Sequence, residues 1–202
     1  MTAEWSERER LLDAMIRVAA AKGYEATTVT DVVEAADVSL ESFEEMFDGK
    51  GSCFLEAYDR VVDILVGRVW DAFEDAKSKP WPERITAGLR AMVELLSAES
   101  DIVRMGMVEV SAAGEAARER YRAALARFTP LLEEGRKHSP QGESLPADTA
   151  RFAIGGAAAM IFDEVRAGRG PELERILPGL VFAVLMPYLG PEGAEAEMRR
   201  GS

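Results

Sequence analysis

The side chains that most often perform catalysis are scarce in this chain. Its 202 residues include one histidine, His138, and one cysteine, Cys53. A nucleophile and its base would have to use His138, which lies in a Ser-, Pro- and Gly-rich stretch and has no obvious partner there. One histidine and one cysteine also cannot build a typical zinc site. We therefore expect a protein that is not an enzyme and that needs no metal or cofactor.

The composition is that of a folded protein from a reducing compartment. Hydrophobic residues make up 48% and charged residues 30% of the chain, which is enough apolar material to bury a core. A single cysteine excludes an internal disulfide framework. The longest apolar run, near 152–162, is too short to cross a bilayer, and no signal segment opens the sequence. We expect a cytoplasmic location and no membrane partner.

Helical periodicity runs through nearly the whole sequence, whereas the alternation of a strand is absent. Ser6 and Glu9 have the spacing of a capping box, and Gly23 is suited to end the helix that they begin. Proline and glycine clusters separate the later segments. The sequence predicts an all-α fold of about nine helices, near 7–22, 28–36, 40–47, 52–77, 83–98, 102–110, 115–137, 148–167 and 171–189.

Two short helices near the N-terminus have the spacing of a helix-turn-helix. The first follows Thr28, which is suited to cap it, and the second follows Ser39. Asp37 and Val38 form the brief turn between them, and each helix carries an apolar face. We expect Leu40, Phe43 and Phe47 to be buried. An ordinary pair of packed helices would have the same spacing, so both interpretations stay open at this point.

The same segment resembles the TetR/AcrR family of transcription regulators. The resemblance rests on three phrases and continues through Lys50 and Cys53-Phe54-Leu55. These phrases are Gly23-Tyr24-x-Ala26-Thr27-Thr28-Val29, then Asp31-Val32-Val33, then Ala36-x-Val38-Ser39-x-x-Ser42-Phe43-x-x-x-Phe47. It implies a DNA-binding domain of three helices at residues 1–50 and a helical ligand-binding and dimerisation domain at residues 51–202. It further implies a ligand-responsive regulator, most often a repressor, that binds operator DNA as a homodimer.

The resemblance also assigns roles to residues of the N-terminal domain. Thr28 would present its hydroxyl and backbone N–H to a phosphate, as helix N-termini do. Ser39 and Ser42 would face the major groove from the start of the recognition helix, and Lys50 would contact a phosphate. The alternative is that Thr28 and Ser39 are only helix caps and that Lys50 is a solvated loop charge.

The recognition helix is unusually acidic for such a regulator. Glu41, Glu44 and Glu45 share its outward side with Ser42, and Glu44 and Glu45 stand where the family usually has Tyr followed by Arg or His. Residues 1–50 contain twelve acidic and five basic residues, a net charge of −7. Lysine and arginine normally supply most non-specific DNA affinity, although glutamate can accept a hydrogen bond from cytosine. The alternative function is a TetR-shaped sensor or interaction module that has lost ordinary operator binding.

The C-terminal part offers candidates for a ligand pocket and a dimer interface. The resemblance implies a pocket between the fourth to seventh helices for a small apolar or amphipathic molecule, and adaptable methionines suit one. Its candidate residues are Val62, Leu65, Val69, Met92, Leu96, Met105, Tyr121 and Leu125. The last two helices would supply the dimer interface through Ile154, Ala158, Ile161, Val165, Leu177, Val181 and Val184. Packing within one chain would produce the same apolar stripes in both regions.

Overall fold

The computed structural model describes residues 5–99, 103–140 and 142–201, and every regular element in these ranges is helical. Ile102, where the sixth helix was expected to begin, lies outside them. The chain forms two compact units. The first holds residues 5–63 and 103–122, and the second holds 64–99 and 123–201. The fourth helix, Lys50–Asp75, crosses the division after residue 63, and the predicted domain boundary at residue 50 stays a prediction.

The first unit begins with three helices whose ends are set by the expected signals. They are α1 (Glu7–Lys22), α2 (Val29–Ala36) and α3 (Leu40–Met46). Ser6 and Glu9 form the capping box of α1, and Gly23 ends it with a φ of 89°, a conformation that costs glycine little. These three helices confirm the part of the all-α prediction that rested on helix-cap residues.

Two further elements complete this unit. Helix α4 (Lys50–Asp75) starts in it and continues into the second unit. A π-helical turn, Arg104–Glu109, runs directly into Val110–Ala112, and the two together are called α6. Helix α7 (Glu115–Ala126) follows. The core between these elements is apolar and is built largely from the buried residues Leu11, Met15, Val32, Phe43, Phe54, Tyr58 and Met105.

The second unit contains α5 (Trp81–Ala98), α8 (Thr129–Glu133), α9 (Thr149–Arg166) and α10 (Leu177–Arg200), with 3₁₀ turns at Glu134–His138, Gly142–Ser144 and Gly170–Ile176. The indole of Trp81 anchors the unit: it is buried, donates to the Leu131 carbonyl at 2.9 Å and packs on Tyr188. The stretch Gly170–Arg200 is long and apolar enough to cross a membrane by composition. Of its most apolar window, 39% is buried, and the buried residues include Leu180, Val181 and Leu185.

Two expectations for this region were wrong. The single helix expected over 115–137 breaks between Ala126 and Thr129, because Pro130 lacks an N–H and its ring would clash with the carbonyl of Ala126. The tail after Gly190, which lies beyond the last predicted helix at 171–189, is helical. Gly190 makes a kink with a φ of 72°, and the chain then resumes its helix to Arg200, with Pro191 at a first-turn position that tolerates proline.

Candidate nucleic-acid interface

The N-terminus of α2 is closed by its own side chains. The Thr28 hydroxyl accepts the Asp31 backbone N–H at 3.2 Å, and the Thr28 backbone N–H donates to the Asp31 carboxylate at 2.7 Å. The Thr28 hydroxyl also contacts that carboxylate, which in turn pairs with Lys22. Hydrogen bonds from Lys22 and then from Thr28 lower the pKa of Asp31 to about 2. In this structure, both Thr28 groups that were assigned to a phosphate are already engaged with Asp31.

The turn between α2 and α3 has helix-turn-helix geometry. Asp37 adopts the left-handed conformation, with φ 52° and ψ 53°, which aspartate tolerates better than most residues. Ser39 then caps α3: its hydroxyl accepts the Ser42 backbone N–H at 3.0 Å and donates to the Ser42 hydroxyl at 3.0 Å. The two serines therefore lie together at the start of α3, where Ser39 is exposed and Ser42 is half-buried.

The outward side of α3 is acidic, as its sequence predicts. Glu41, Glu44 and Glu45 are all exposed, whereas Phe43 is buried. The expectation that Leu40 is buried with Phe43 was wrong, because Leu40 is 50% exposed. As the first residue of α3 it points away from the core, and it adds an apolar group to the acidic side.

The cations of the N-terminal helices are held by groups of the same chain. Arg8 donates from its Nε to Glu56 at 2.7 Å, Arg17 donates to Asp13 at 2.9 Å, and Lys22 pairs with Asp31. Arg10 has the weakest pairings, with its guanidinium 4.0 Å from both Glu7 and Asp37. Its buried Nε has no hydrogen-bond partner among the described residues. Of these four cations, Arg10 would therefore give up the weakest contacts within the chain if it turned to a phosphate.

Lys50 also has a partner within the chain. Its ammonium donates to the Tyr24 carbonyl at 2.9 Å and to the Glu25 carbonyl at 3.4 Å, and it lies 4.4 Å from the centre of the Tyr24 ring. These contacts exclude the interpretation of Lys50 as a solvated loop charge. The phosphate contact stays a prediction.

The sequence of the three N-terminal helices matches a known family. Residues 11–57 match the sequence model of the bacterial regulatory proteins of the tetR family. This range contains most of α1, all of α2 and α3 and the start of α4. Residues 11–57 therefore form a DNA-binding domain of the tetR-family type. No curated protein matches the chain by sequence.

Solved structures of other regulators share the whole fold. The fatty acid degradation regulator FadR of Bacillus halodurans superposes with a TM-score of 0.79 at 15% identity, covering 91% of this chain and 97% of that one. FadR of Bacillus subtilis, solved with stearoyl-CoA, gives 0.71 at 16% identity, with coverages of 90% and 97%. PfmR of Thermus thermophilus gives 0.66 at 18% identity, with coverages of 89% and 98%. At these identities the likeness shows the tetR-family fold alone.

The predicted ligand residues do not gather in either unit of this chain. Three of them belong to the first unit, Met105 buried and Val62 and Tyr121 half-buried. Five belong to the second unit: Val69 and Leu96 are buried, and Leu65, Met92 and Leu125 are half-buried. Their role as a ligand site stays a prediction.

The predicted dimer residues lie on the inward side of the last two helices. Six of the seven are buried within the single chain, and Val165 is half-buried; the six are Ile154, Ala158, Ile161, Leu177, Val181 and Val184. Their assignment to a partner surface was therefore wrong. Both sides of α9 carry small or apolar residues, so its periodicity alone could not show which side packs against α10. The opposite side of α9 carries Phe152, which is 82% exposed.

The two rare side chains have structural surroundings. Cys53 is fully buried, and burial raises the pKa of its thiol to about 12, which keeps it protonated and unreactive. His138 lies in the turn Glu134–His138 and stacks nearly parallel to Trp81, with ring centres 6.3 Å apart. Within the described residues, no group of three or more potential ligands could hold a metal ion.

Proposed function

We propose that this tetR-family regulator is a cytoplasmic, ligand-responsive repressor that binds operator DNA as a homodimer. The observation that carries the proposal is the capped pair α2 and α3, joined through the left-handed Asp37, with Ser39 and Ser42 at the start of the outward helix. Helices joined in this way place the second one in the major groove. Ser39, Ser42, Glu44 and Glu45 would read base edges, the glutamates by accepting from cytosine N4.

Phosphate contacts would come from few residues. Thr28 and Lys50 are engaged within the chain, and we propose that each exchanges or shares its present partner when DNA binds. Arg10, with its 4.0 Å pairings, is the third candidate. Three contacts per protomer give six in the dimer, but Thr28 carries no charge, so only four phosphates would be neutralised. That is fewer than the roughly six to ten of a strongly salt-dependent protein, so base contacts would carry an unusually large share of the affinity.

We propose an amphipathic ligand with a long acyl chain. The support is the apolar character of the half-buried Leu65, Met92 and Leu125 of the second unit, since methionine and leucine adapt to flexible apolar ligands. One structural neighbour, FadR of Bacillus subtilis, was solved with stearoyl-CoA, and we take that molecule as the first probe.

The homodimer would use the outward side of α9 and the neighbouring part of α10. Phe152, Gly155, Gly156 and Ala159 are exposed at the spacing of one helix side, and Met186 of α10 is 41% exposed. A Cβ at Gly155 or Gly156 would meet no atom of the chain within 4 Å. Packing within the chain therefore does not explain two adjacent glycines that weaken a helix by about 1 kcal/mol each. The close approach of a second copy would explain these two glycines.

The experiment that tests the proposal is fluorescence anisotropy with duplexes from the region upstream of the gene. We expect saturable binding of at least one duplex with a stoichiometry of two protomers, and release when stearoyl-CoA is added. Stearoyl-CoA at a hundred times its Kd should also stabilise the protein by about 2.7 kcal/mol. Stearic acid and free CoA are the controls for the two halves of the molecule. DNA binding that no acyl-CoA alters would remove the ligand part of the proposal and keep the regulator.

A second candidate function is a regulator-shaped module that acts on a protein partner. The specific observation in its favour is that the cations of α1 are held by acidic groups of the chain while the glutamates of α3 stay exposed. Under this hypothesis no duplex of any sequence binds tightly, even at low salt, because phosphates are repelled. The same anisotropy series therefore separates the two candidates.

A further inference from the structure

The outward side of α3 combines one exposed apolar residue with three glutamates. Leu40, Glu41, Glu44 and Glu45 lie on it at the spacing of one helix side, and all four are exposed. A single exposed leucine is ordinary on a protein surface. Leu40, at 50% exposure, differs because it stands among carboxylates. An apolar residue inside a polar rim is the usual arrangement of a surface that binds another protein.

A groove adjoins this side of α3 at the turn between α2 and α3. Its volume is about 500 Å³, and it is lined by Val33, Glu34, Asp37, Val38 and Ser39. Ser39 directly precedes Leu40, so the groove and the exposed leucine are neighbours along the chain. The two valines give the groove apolar walls, and the two acids make its rim negative. The groove and the outward side of α3 are together called the α2–α3 face.

The carboxylates of the α2–α3 face are not neutralised by the chain. Among the described residues, no ion pair involves Glu34 or any of the three glutamates of α3, and Asp37 has only the Arg10 guanidinium at 4.0 Å. Asp31 of the same unit shows the opposite arrangement, since Lys22 pairs with it. The negative charge of this face is therefore left for a partner or for ions of the solvent.

The spacing of the glutamates makes a cation from outside favourable. Glu41 lies three positions before Glu44 and four before Glu45. Like charges at these spacings destabilise a helix. A lysine or arginine of a partner would remove that repulsion, and its attraction to the face would act over about 10 Å at ordinary salt concentrations.

We propose that the α2–α3 face binds a cationic, amphipathic helix of a partner protein. Apolar residues of that helix would contact Leu40 and the valines of the groove, and its lysines or arginines would pair with the carboxylates. The proposal deepens the second candidate function by naming the chemistry of the partner, and the binding itself does not depend on the first. If DNA uses the same face, the cationic helix competes with it and releases the operator.

The charge of the face selects this occupant over two others. Duplex DNA carries the same sign of charge as the exposed glutamates and is repelled by them. A second copy of the chain has a net charge of −12 and is also repelled. A cationic helix is attracted both by the face and by the net charge, and Leu40 offers it an apolar contact that a phosphate backbone does not use.

The probe is a fluorescein-labelled helical peptide of lysine and leucine that has its leucines on one side. Fluorescence anisotropy with the full chain, at about 0.1 M salt, should show saturable binding of one peptide per protomer. The affinity should fall by about tenfold or more when serine replaces the leucines of the peptide or when glutamate replaces its lysines. Amide chemical shifts of residues 33–45 should change on binding, because these residues form the face.

Two pairs of substitutions separate the position of the charges from their number. Glu41→Gln with Glu44→Gln removes two charges from the face, and the affinity for the peptide should fall by about fivefold. Asp71→Asn with Asp75→Asn removes two exposed charges of α4 instead. This control should change the affinity by less than about twofold, because these charges belong to the net charge and not to the face.

Leu40→Ala tests the apolar part of the face. The affinity for the leucine-containing peptide should fall by about fivefold, whereas that for the serine-containing peptide should not change. Ile64→Ala, which shortens another large exposed residue, is the control and should leave both affinities unchanged. Circular dichroism checks that each variant is folded.

Three results would overturn the proposal. The first is the absence of saturable peptide binding. The second is an equal loss of affinity in the two acidic pairs of substitutions, which would make the attraction a property of the net charge. The third is that the amides of residues 33–45 do not shift while others do, which would place the peptide elsewhere.

A competing duplex distinguishes this proposal from the proposed function. A peptide that displaces a bound operator duplex supports both. A duplex that stays bound while the peptide occupies the α2–α3 face would contradict α3 as the DNA-reading helix and would support the partner surface. Absence of any duplex binding, with the peptide bound to the face, would have the same meaning.

Discussion

The outward sides of α3 and α9 differ in almost every respect that matters for binding. Helix α3 presents Glu41, Glu44 and Glu45 around two serine hydroxyls, so its surface is charged and well hydrated. Helix α9 presents a phenylalanine that is 82% exposed and a row of small residues, so its surface is apolar and smooth. A charged surface adds specificity for a partner more than it adds affinity. A smooth apolar surface stabilises a complex in proportion to the area that the complex buries.

The residues of a helix that can bind a partner are those that the core does not bury. In α3 the core takes Phe43 and leaves polar groups outside, so the outward side was visible in the sequence. In α9 the core takes Ile154, Ala158 and Ile161, and the residues left outside are again apolar or small. Both sides of such a helix look like an interface, and only the packing against α10 distinguishes them.

The largest effect that we expect concerns the apolar side of α9. Phe152→Glu would place an unpaired charge in the proposed dimer interface, which costs several kcal/mol. We expect the dimer to weaken by at least about a hundredfold, measured by sedimentation velocity across a concentration series.

Ile64→Glu is the matched control for that variant, because Ile64 is also a large exposed apolar residue, 45% exposed, but lies on α4. It should leave the dimer intact. If Phe152→Glu remained a dimer at the same concentrations as the wild type, the outward side of α9 would not be the interface. Of the two sides compared, only that of α3 would then remain a candidate binding surface.

The next effect concerns the acidic side of α3. Replacing Glu44 with Tyr and Glu45 with Arg removes two charges that repel phosphate and adds one that attracts it. We expect non-specific duplex affinity to rise by roughly tenfold near 0.1 M salt, measured by anisotropy with a random-sequence duplex. Glu119→Arg on α7 should change it much less. Equal gains in both variants would mean that overall charge matters and that the position on α3 does not.

The sequence predicted the N-terminal helices well because their ends are local chemistry. The capping boxes of Ser6 with Glu9 and of Thr28 with Asp31 need only residues three positions apart, and both formed. The exposure of Leu40 was not predictable in this way, since an apolar residue at a helix start can face either direction. The ion pair between Arg8 and Glu56 joins residues 48 positions apart, and such pairings depend on tertiary structure that no periodicity records.

A third prediction concerns the caps that orient the acidic side of α3. Thr28→Ala removes the hydroxyl that accepts the Asp31 N–H, and loss of such a cap costs about 1 kcal/mol. For a chain of this size the midpoint of thermal unfolding should fall by about 2–4 °C. Thr30→Ala, at an exposed position of the same helix that caps nothing, should stay within about 0.5 kcal/mol of the wild type. Circular dichroism during heating and in a urea series measures both.

The pH dependence of stability tests the same capping box through Asp31. The pKa of Asp31 is lowered to about 2 by Lys22 and Thr28, so its ionised form is favoured by folding. The stabilisation is complete above the ordinary carboxyl pKa of about 4 and is lost as the pH falls from there through about 2. Asp31→Asn should therefore be less stable than the wild type at pH 7 and should approach it at pH 2. A difference that does not shrink in acid would show that the ion pair is not its cause.

The smallest effect is a weak dependence of DNA binding on salt, which separates the two proposed functions. Each phosphate neutralised contributes about 0.9 to the log–log slope of affinity against salt. Arg8, Arg17 and Lys22 are held by acidic groups of the chain. If Arg10 alone contributes a charge from each protomer, a dimer neutralises two phosphates and the slope is about −1.8; with Lys50 as well, it neutralises four and the slope is about −3.6.

At these slopes, each doubling of salt would weaken operator binding by roughly threefold to twelvefold, against about fortyfold or more for a protein with six or more phosphate contacts. Arg10→Gln should flatten the slope further, whereas Arg17→Gln, which loses only its contacts within the chain, should not. A slope steeper than about −5 with tight wild-type binding would show that the ion pairs of α1 open on DNA, and that the acidic side of α3 is not the surface that faces the duplex. Absence of binding at every salt concentration would instead favour the protein-partner hypothesis, because the exposed glutamates would then have no nucleic acid to read.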